Sequence, residues 1–125
     1  MKYLDFNKTY PVEDVNGGWI IQDNGVAVSV PFEVFFKSII LVDDRWGKSI
    51  KLLNSLMDLR EKVKELSFND NKPNKILEMT DEEWSVCLDV CEQPNAGYNI
   101  NYASAILKHV NDLKSASSIR PDLST

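Results

Sequence analysis

Two thiols and one imidazole are the residues best suited to chemistry in this 125-residue chain: Cys87, Cys91 and His109. Residues four apart on a helix share a face, so both thiols point the same way. An imidazole from the next helix then supplies a third soft or borderline ligand, one short of a tetrahedral zinc site. The competing reading makes both cysteines small buried hydrophobes beside Trp84, the usual fate of free cysteine. A redox pair fits less well, because the spacing is not Cys-x-x-Cys and the thiols point along the helix axis rather than at each other. His109 falls on the border of the last helix, near Tyr102 and Leu113 at helical spacing. No Gly-x-Ser-x-Gly motif or other nucleophile accompanies it, so it reads as a helix-flank histidine rather than a general base.

Asp43-Asp44-Arg45-Trp46 gathers two carboxylates, a guanidinium and an indole. It has neither the spread oxygen ligands and glycine turn of a calcium loop nor a phosphate-binding companion for magnesium. Helix capping by Asp43 or Asp44 explains the acids. Trp46 is a candidate aromatic anchor, with a core indole as the default. Gly17-Gly18 precedes a strand without a Lys-Ser/Thr, so it is a loop and not a phosphate cradle. No catalytic residue, cofactor or metal ligand is assigned, and the chain reads as non-enzymatic.

These residues need one scaffold. With 43% hydrophobic positions and 12 aromatics, the chain suffices for a single core. Its net charge of −5 disfavours direct nucleic-acid binding and attraction to anionic lipid. The acidity is local: residues 76–94 hold Glu78, Asp81, Glu82, Glu83, Asp89 and Glu92 with no Lys or Arg, while residues 36–75 carry nine basic and six acidic groups. The opening MKYLDFNKTY has no apolar signal core, and the apolar stretch Val26 to Val42 is interrupted by Pro31, Glu33 and Lys37. Two cysteines without a distant partner suit a reducing cytoplasm, so a cytoplasmic, membrane-free protein is expected.

The expected fold class is α+β: an N-terminal β-hairpin or small antiparallel sheet packed on three to four helices, as a single domain over 1–114 with a polar tail at 115–125. Trp19–Gln22 and Val26–Val30 flank Asp23-Asn24-Gly25, a hairpin signal, and Lys2–Phe6 is a candidate third strand beside it. Pro31 to Val42 reads as a short helix with a Glu33–Lys37 pair, against a competing buried strand. The next helix runs from Asp44 to about Leu66. Leu52, Leu56, Leu59, Val63 and Leu66 make one apolar stripe, which Ile50, Leu53 and Met57 widen to about twice the ~100° that one layer covers. Either another part of this chain or a second copy must cover the excess. Ser67–Asn74 is a loop. Thr80-Asp81-Glu82-Glu83 is a capping box for a helix whose inner face is Trp84, Cys87, Leu88 and Cys91. After the turn Pro94–Tyr98, Asn99 or Asn101 caps a last helix with Ile100, Ala103, Ile106, Leu107, Val110 and Leu113 on one face. No internal repeat is evident.

In Arg45-Trp46, Leu59-Arg60, Met79-Thr80-Asp81-Glu82-Glu83-Trp84 and the Pro94–Asn99 turn, the chain resembles small accessory proteins of tailed bacteriophages and prophages. That resemblance implies assembly, or inhibition of a host protein, in the host cytoplasm; it implies no catalytic residues. Three functions follow as expectations. The first is a self-associating assembly protein with Ile50, Leu53, Met57 and Trp46 at its interface. The second is an acidic inhibitor or adaptor offering Glu78, Asp81, Glu82 and Glu83 to a basic groove of another protein. The third is a small metal-binding protein using Cys87, Cys91 and His109.

Overall fold

Leu4 alternates with polar neighbours, and Leu77 and Met79 do the same in Ile76–Met79; these short period-two segments find each other across the chain. In the computed structural model, which describes residues 1–68 and 75–119, β1 (Lys2–Asp5) pairs antiparallel with Ile76–Met79, setting Leu4 opposite Leu77. β2 (Thr9–Pro11) pairs antiparallel with β3 (Ser29–Pro31), setting Tyr10 opposite Val30. The fold is α+β, with two small antiparallel sheets packed on helices. The first strand therefore exists, but its partner is Ile76–Met79, where no strand was expected, and not the hairpin.

An arm formed by residues 12–28 joins β2 to β3. The Asn24-Gly25 turn is present, and it has a twin at Asn16-Gly17. Gly17 and Gly25 take φ of +83° and +80°, a region that no non-glycine residue enters among those described. Each closes a three-residue loop with the same two bonds: Asp14 N to Gly18 O (2.8 Å) with Gly17 N to Asp14 O (3.0 Å), and Gln22 N to Val26 O (2.9 Å) with Gly25 N to Gln22 O (2.9 Å). Eight residues separate the two loops, so the chain does contain a short internal repeat. It escapes notice because only the Asn-Gly pair is identical in the two copies. Val12, Ile20 and Val28, eight apart, bond in a ring: Val12 N to Val28 O (2.8 Å), Val28 N to Ile20 O (2.8 Å) and Ile20 N to Val12 O (3.2 Å).

α1 (Phe32–Phe35) starts after Pro31 and widens into a π-helical turn, Phe36–Ile40, marked by Leu41 N donating to Phe36 O at 3.0 Å. The segment is a helix, and the Glu33–Lys37 pair forms at 2.9 Å. Phe32, Phe35, Phe36, Ile40 and Leu41 are all buried, and the Phe32 and Phe36 rings stack at 5.5 Å. Burial on more than one side explains the nearly unbroken apolar run that made a buried strand the rival reading.

The expected long helix is broken. Asp44–Lys48 is a 3-10 helix, Ser49 is extended, and α2 begins afresh over Ile50–Phe68. Asp43 accepts from Arg45 N (2.9 Å), and Ser49 Oγ from Leu52 N (3.1 Å), so each of the two helices has its own side-chain acceptor at its start. Between them Trp46 turns inward, its Nε1 donating to Ile40 O at 2.9 Å.

β4 (Ile76–Met79) leads into α3 (Asp81–Glu92), then a 3-10 turn at Ile100–Tyr102, capped by Asn99, and α4 (Ala103–Lys114). On α3, Cys87, Val90 and Cys91 are buried, and Trp84 and Leu88 are half-buried. α4 turns Ala105, Ile106, His109, Val110 and Leu113 inward, leaving Ile100, Ala103 and Leu107 outside. The 3-10 turn advances three residues per turn, and this shifts the buried face from its expected phase. Trp84 Nε1 donates to Leu113 O at 2.8 Å, tying α3 to the end of α4. The first residues of the expected tail fold back: Tyr3 N donates to Ser117 O (2.9 Å) and Lys2 Nζ to Ser118 Oγ (2.9 Å). The rest of the tail and most of the loop before β4 lie outside the described residues.

The capping box closes on both sides, with Glu83 N to Thr80 Oγ1 at 3.1 Å and Thr80 N to Glu83 Oε1 at 2.8 Å. Thr80→Ala should lower unfolding free energy by about 1 kcal/mol, read as an earlier urea midpoint at unchanged slope; an unmoved midpoint would refute the assignment.

Candidate interaction surfaces and a buried histidine

The thiols and the imidazole do not assemble into a site. Among the described residues no group of three or more His, Cys, Asp and Glu stands close enough to hold a metal ion. His109 is fully buried rather than on a helix flank. Its ring stacks on Phe35 at 5.5 Å and meets Tyr10 and Phe32 edge-on at 4.9 and 5.6 Å. Nε2 lies 2.6 Å from Val30 O. A carbonyl only accepts, so Nε2 carries the proton; Nδ1 has no partner. Beside it the Tyr10 hydroxyl donates to Asp112, which holds the phenol up at about 12.

Burial lowers the His109 pKa, and the Val30 carbonyl and the Asp112 carboxylate offset that only in part. The unfolded imidazole takes up a proton near pH 6.5 and the folded one only at lower pH, so acidification favours unfolding. Stability should therefore fall as pH drops from about 7.5 to about 5.5. His109→Gln, which keeps a donor for Val30, should flatten that slope; an equal slope in both proteins would contradict the assignment.

Cys87 Sγ lies 3.9 Å from Met79 Sδ, and Cys91 O accepts from the Tyr98 hydroxyl at 3.0 Å. Burial pushes the Cys87 thiol well up and the Cys91 thiol up to about 11. Both should react with a thiol reagent only as fast as the protein opens. Rapid native-state modification of either would contradict this.

Asp43 is buried and accepts from Arg45 Nη1 at 3.0 Å and from Asn95 N and Nδ2 at 3.3 Å each. Arg45 also donates to Gln93 O, and Asn95 to Asp44. The acidic pair and the guanidinium thus clasp the end of α3. Trp46, with no exposed surface, is core and not an interface anchor.

The acidic segment is largely engaged within the chain. Glu83 is buried in the capping box. Asp81 faces the N-terminal amine at 3.2 Å, Glu82 faces Lys51 at 2.9 Å and Glu92 faces Lys114 at 2.7 Å. Glu78 sits on β4 between the buried Leu77 and Met79.

α2 meets the core through Leu56, Leu59 and Val63, with Leu52 and Leu66 half-buried. Its second stripe stays outside: Ile50 is 75%, Leu53 40% and Met57 58% exposed. At the same three-four spacing that line continues through Arg60 and Lys64. These two help line a cleft of about 390 Å³ with Lys37, Leu41, Val42 and Val63.

Sequence reasoning missed a second apolar surface, on the arm, where Val15, Trp19, Ile20, Ile21 and Val26 are exposed. The signal was the run Trp19-Ile20-Ile21, because successive strand residues point to opposite faces and three large apolar neighbours cannot all face one core. No described helix is long and apolar enough to cross a membrane. Compared with known proteins, the chain matches no family model, no curated protein and no solved structure.

Proposed function

We propose that this chain is a non-enzymatic interaction protein that associates with a second copy of itself through the outer face of α2. The observation that supports this is the line Ile50, Leu53 and Met57, an apolar row at helical spacing that the described residues leave exposed. An antiparallel two-fold pairing centred on Leu53 sets Ile50 against Met57 of the second copy. Centring on Met57 would set Lys64 against Ile50, and centring near Arg60 would crowd like charges. Three side chains fall well short of the roughly 800 Å² per partner of a standard interface, so the association is weak and concentration-dependent. Such a protein suits a reducing cytoplasm, where Cys87 and Cys91 remain free, and the assembly role implied by the resemblance to phage accessory proteins. The acidic-adaptor reading draws less support, because Asp81, Glu82, Glu83 and Glu92 already have partners within the chain.

Leu53→Glu should leave far-ultraviolet dichroism unchanged and abolish the rise of light-scattering mass with concentration. A wild-type mass that stays monomeric from micromolar to millimolar concentration would overturn the proposal, as would a variant that associates as well as wild type.

A further inference from the structure

A second surface leads beyond self-association. The arm presents Val15 fully exposed, and Ile100, on the turn before α4, is 85% exposed. With Ile20 and Ala103 they line a groove of about 500 Å³ whose polar rim is Glu13, Asp14, Asn101 and Ser104. The arm's other face carries Trp19, 60% exposed, and Ile21. From Thr9 to Phe36 the chain has no Lys or Arg, so the arm's own charges, Glu13, Asp14 and Asp23, are all negative. Among the described residues Lys108 faces the arm's acids, 3.6 Å from Glu13. The Asp14 carboxylate accepts from Asn16 N at 2.8 Å and Gly18 N at 3.0 Å.

We propose that this groove docks a basic amphipathic segment of a partner protein, one apolar side chain entering between Val15, Ile20 and Ile100 while flanking Lys or Arg face the acidic rim. Charge selects this occupant. Two arms facing each other would set Glu13, Asp14 and Asp23 against like charges, and an anionic lipid surface would be repelled in the same way. The backbone ring at Val12, Ile20 and Val28 already uses those amides and carbonyls within the arm, so recognition there goes through side chains rather than an added strand.

The probe is a fluorescent helical peptide of Lys and Leu in amphipathic order, compared with Glu/Leu and Lys/Ser versions. By fluorescence anisotropy the Lys/Leu peptide should bind best and bind less tightly as salt rises. Ile100→Asp, at an exposed position, should weaken binding roughly tenfold or more, while Leu53→Glu should leave it unchanged, keeping this test separate from that of self-association. Equal binding of the Glu/Leu peptide, unchanged affinity in Ile100→Asp, or tighter binding to phosphatidylglycerol vesicles than to the Lys/Leu peptide would each overturn the proposal. So would loss of self-association in Ile100→Asp, which would make a second copy the occupant.

Discussion

A helix buried on several sides is held where side chains from other elements reach the backbone carbonyls that border it, and these contacts organise the molecule. The segment Phe32–Ile40 is enclosed by its phenylalanines, and three carbonyls that border it accept from side chains on three other elements. His109 on α4 lies against Val30 O at 2.6 Å, Trp46 in the 3-10 helix donates to Ile40 O at 2.9 Å, and Arg60 on α2 donates to Leu41 O at 2.8 Å. Each bond brings its element against the same aromatic cluster. The one histidine and the central tryptophan are therefore structural: each ties its element to a carbonyl beside the buried helix, Ile40 O also accepting from Asp43 N at 3.3 Å and Val30 pairing with Tyr10 in the β2–β3 ladder.

Covering the hub fixes which faces remain outside. α2 is held through Leu56, Leu59, Val63 and Arg60, so its line Ile50, Leu53 and Met57 is turned away from the core. The arm is held at its base, where Val12 is fully buried and Val28 packs against the core. Its two glycine loops project Val15, Trp19, Ile21 and Val26 beyond the reach of that core. The two apolar surfaces differ in their charged neighbours: the α2 line runs into Arg60 and Lys64, whereas the arm carries acids. This difference separates a surface that suits a second copy from one that suits a basic partner.

What was legible in the sequence was local. The capping box at Thr80, the Glu33–Lys37 pair, the turn at Asn24-Gly25 and the core stripe of α2 each depend on residues within a few positions of one another. The strand at Ile76–Met79 was not legible because its partner is more than seventy residues away and four residues carry too little pattern. The break at Ser49 and the phase of α4 were hidden because a 3-10 turn shifts the helical period. The candidate surface was legible in part: an arc too wide for one layer pointed to Ile50, Leu53 and Met57. Trp46 could not be placed from spacing alone, since its place depends on a buried carbonyl at Ile40.

The most direct test is isotope-filtered NMR on a mixture of labelled and unlabelled protein at high concentration, observing methyl groups of Ile50, Leu53 and Met57. Intermolecular contacts from Ile50 to Met57 and from Leu53 to Leu53 are predicted, fading on dilution. Their absence in a sample that remains monomeric, or contacts between copies confined to other surfaces, would contradict the account.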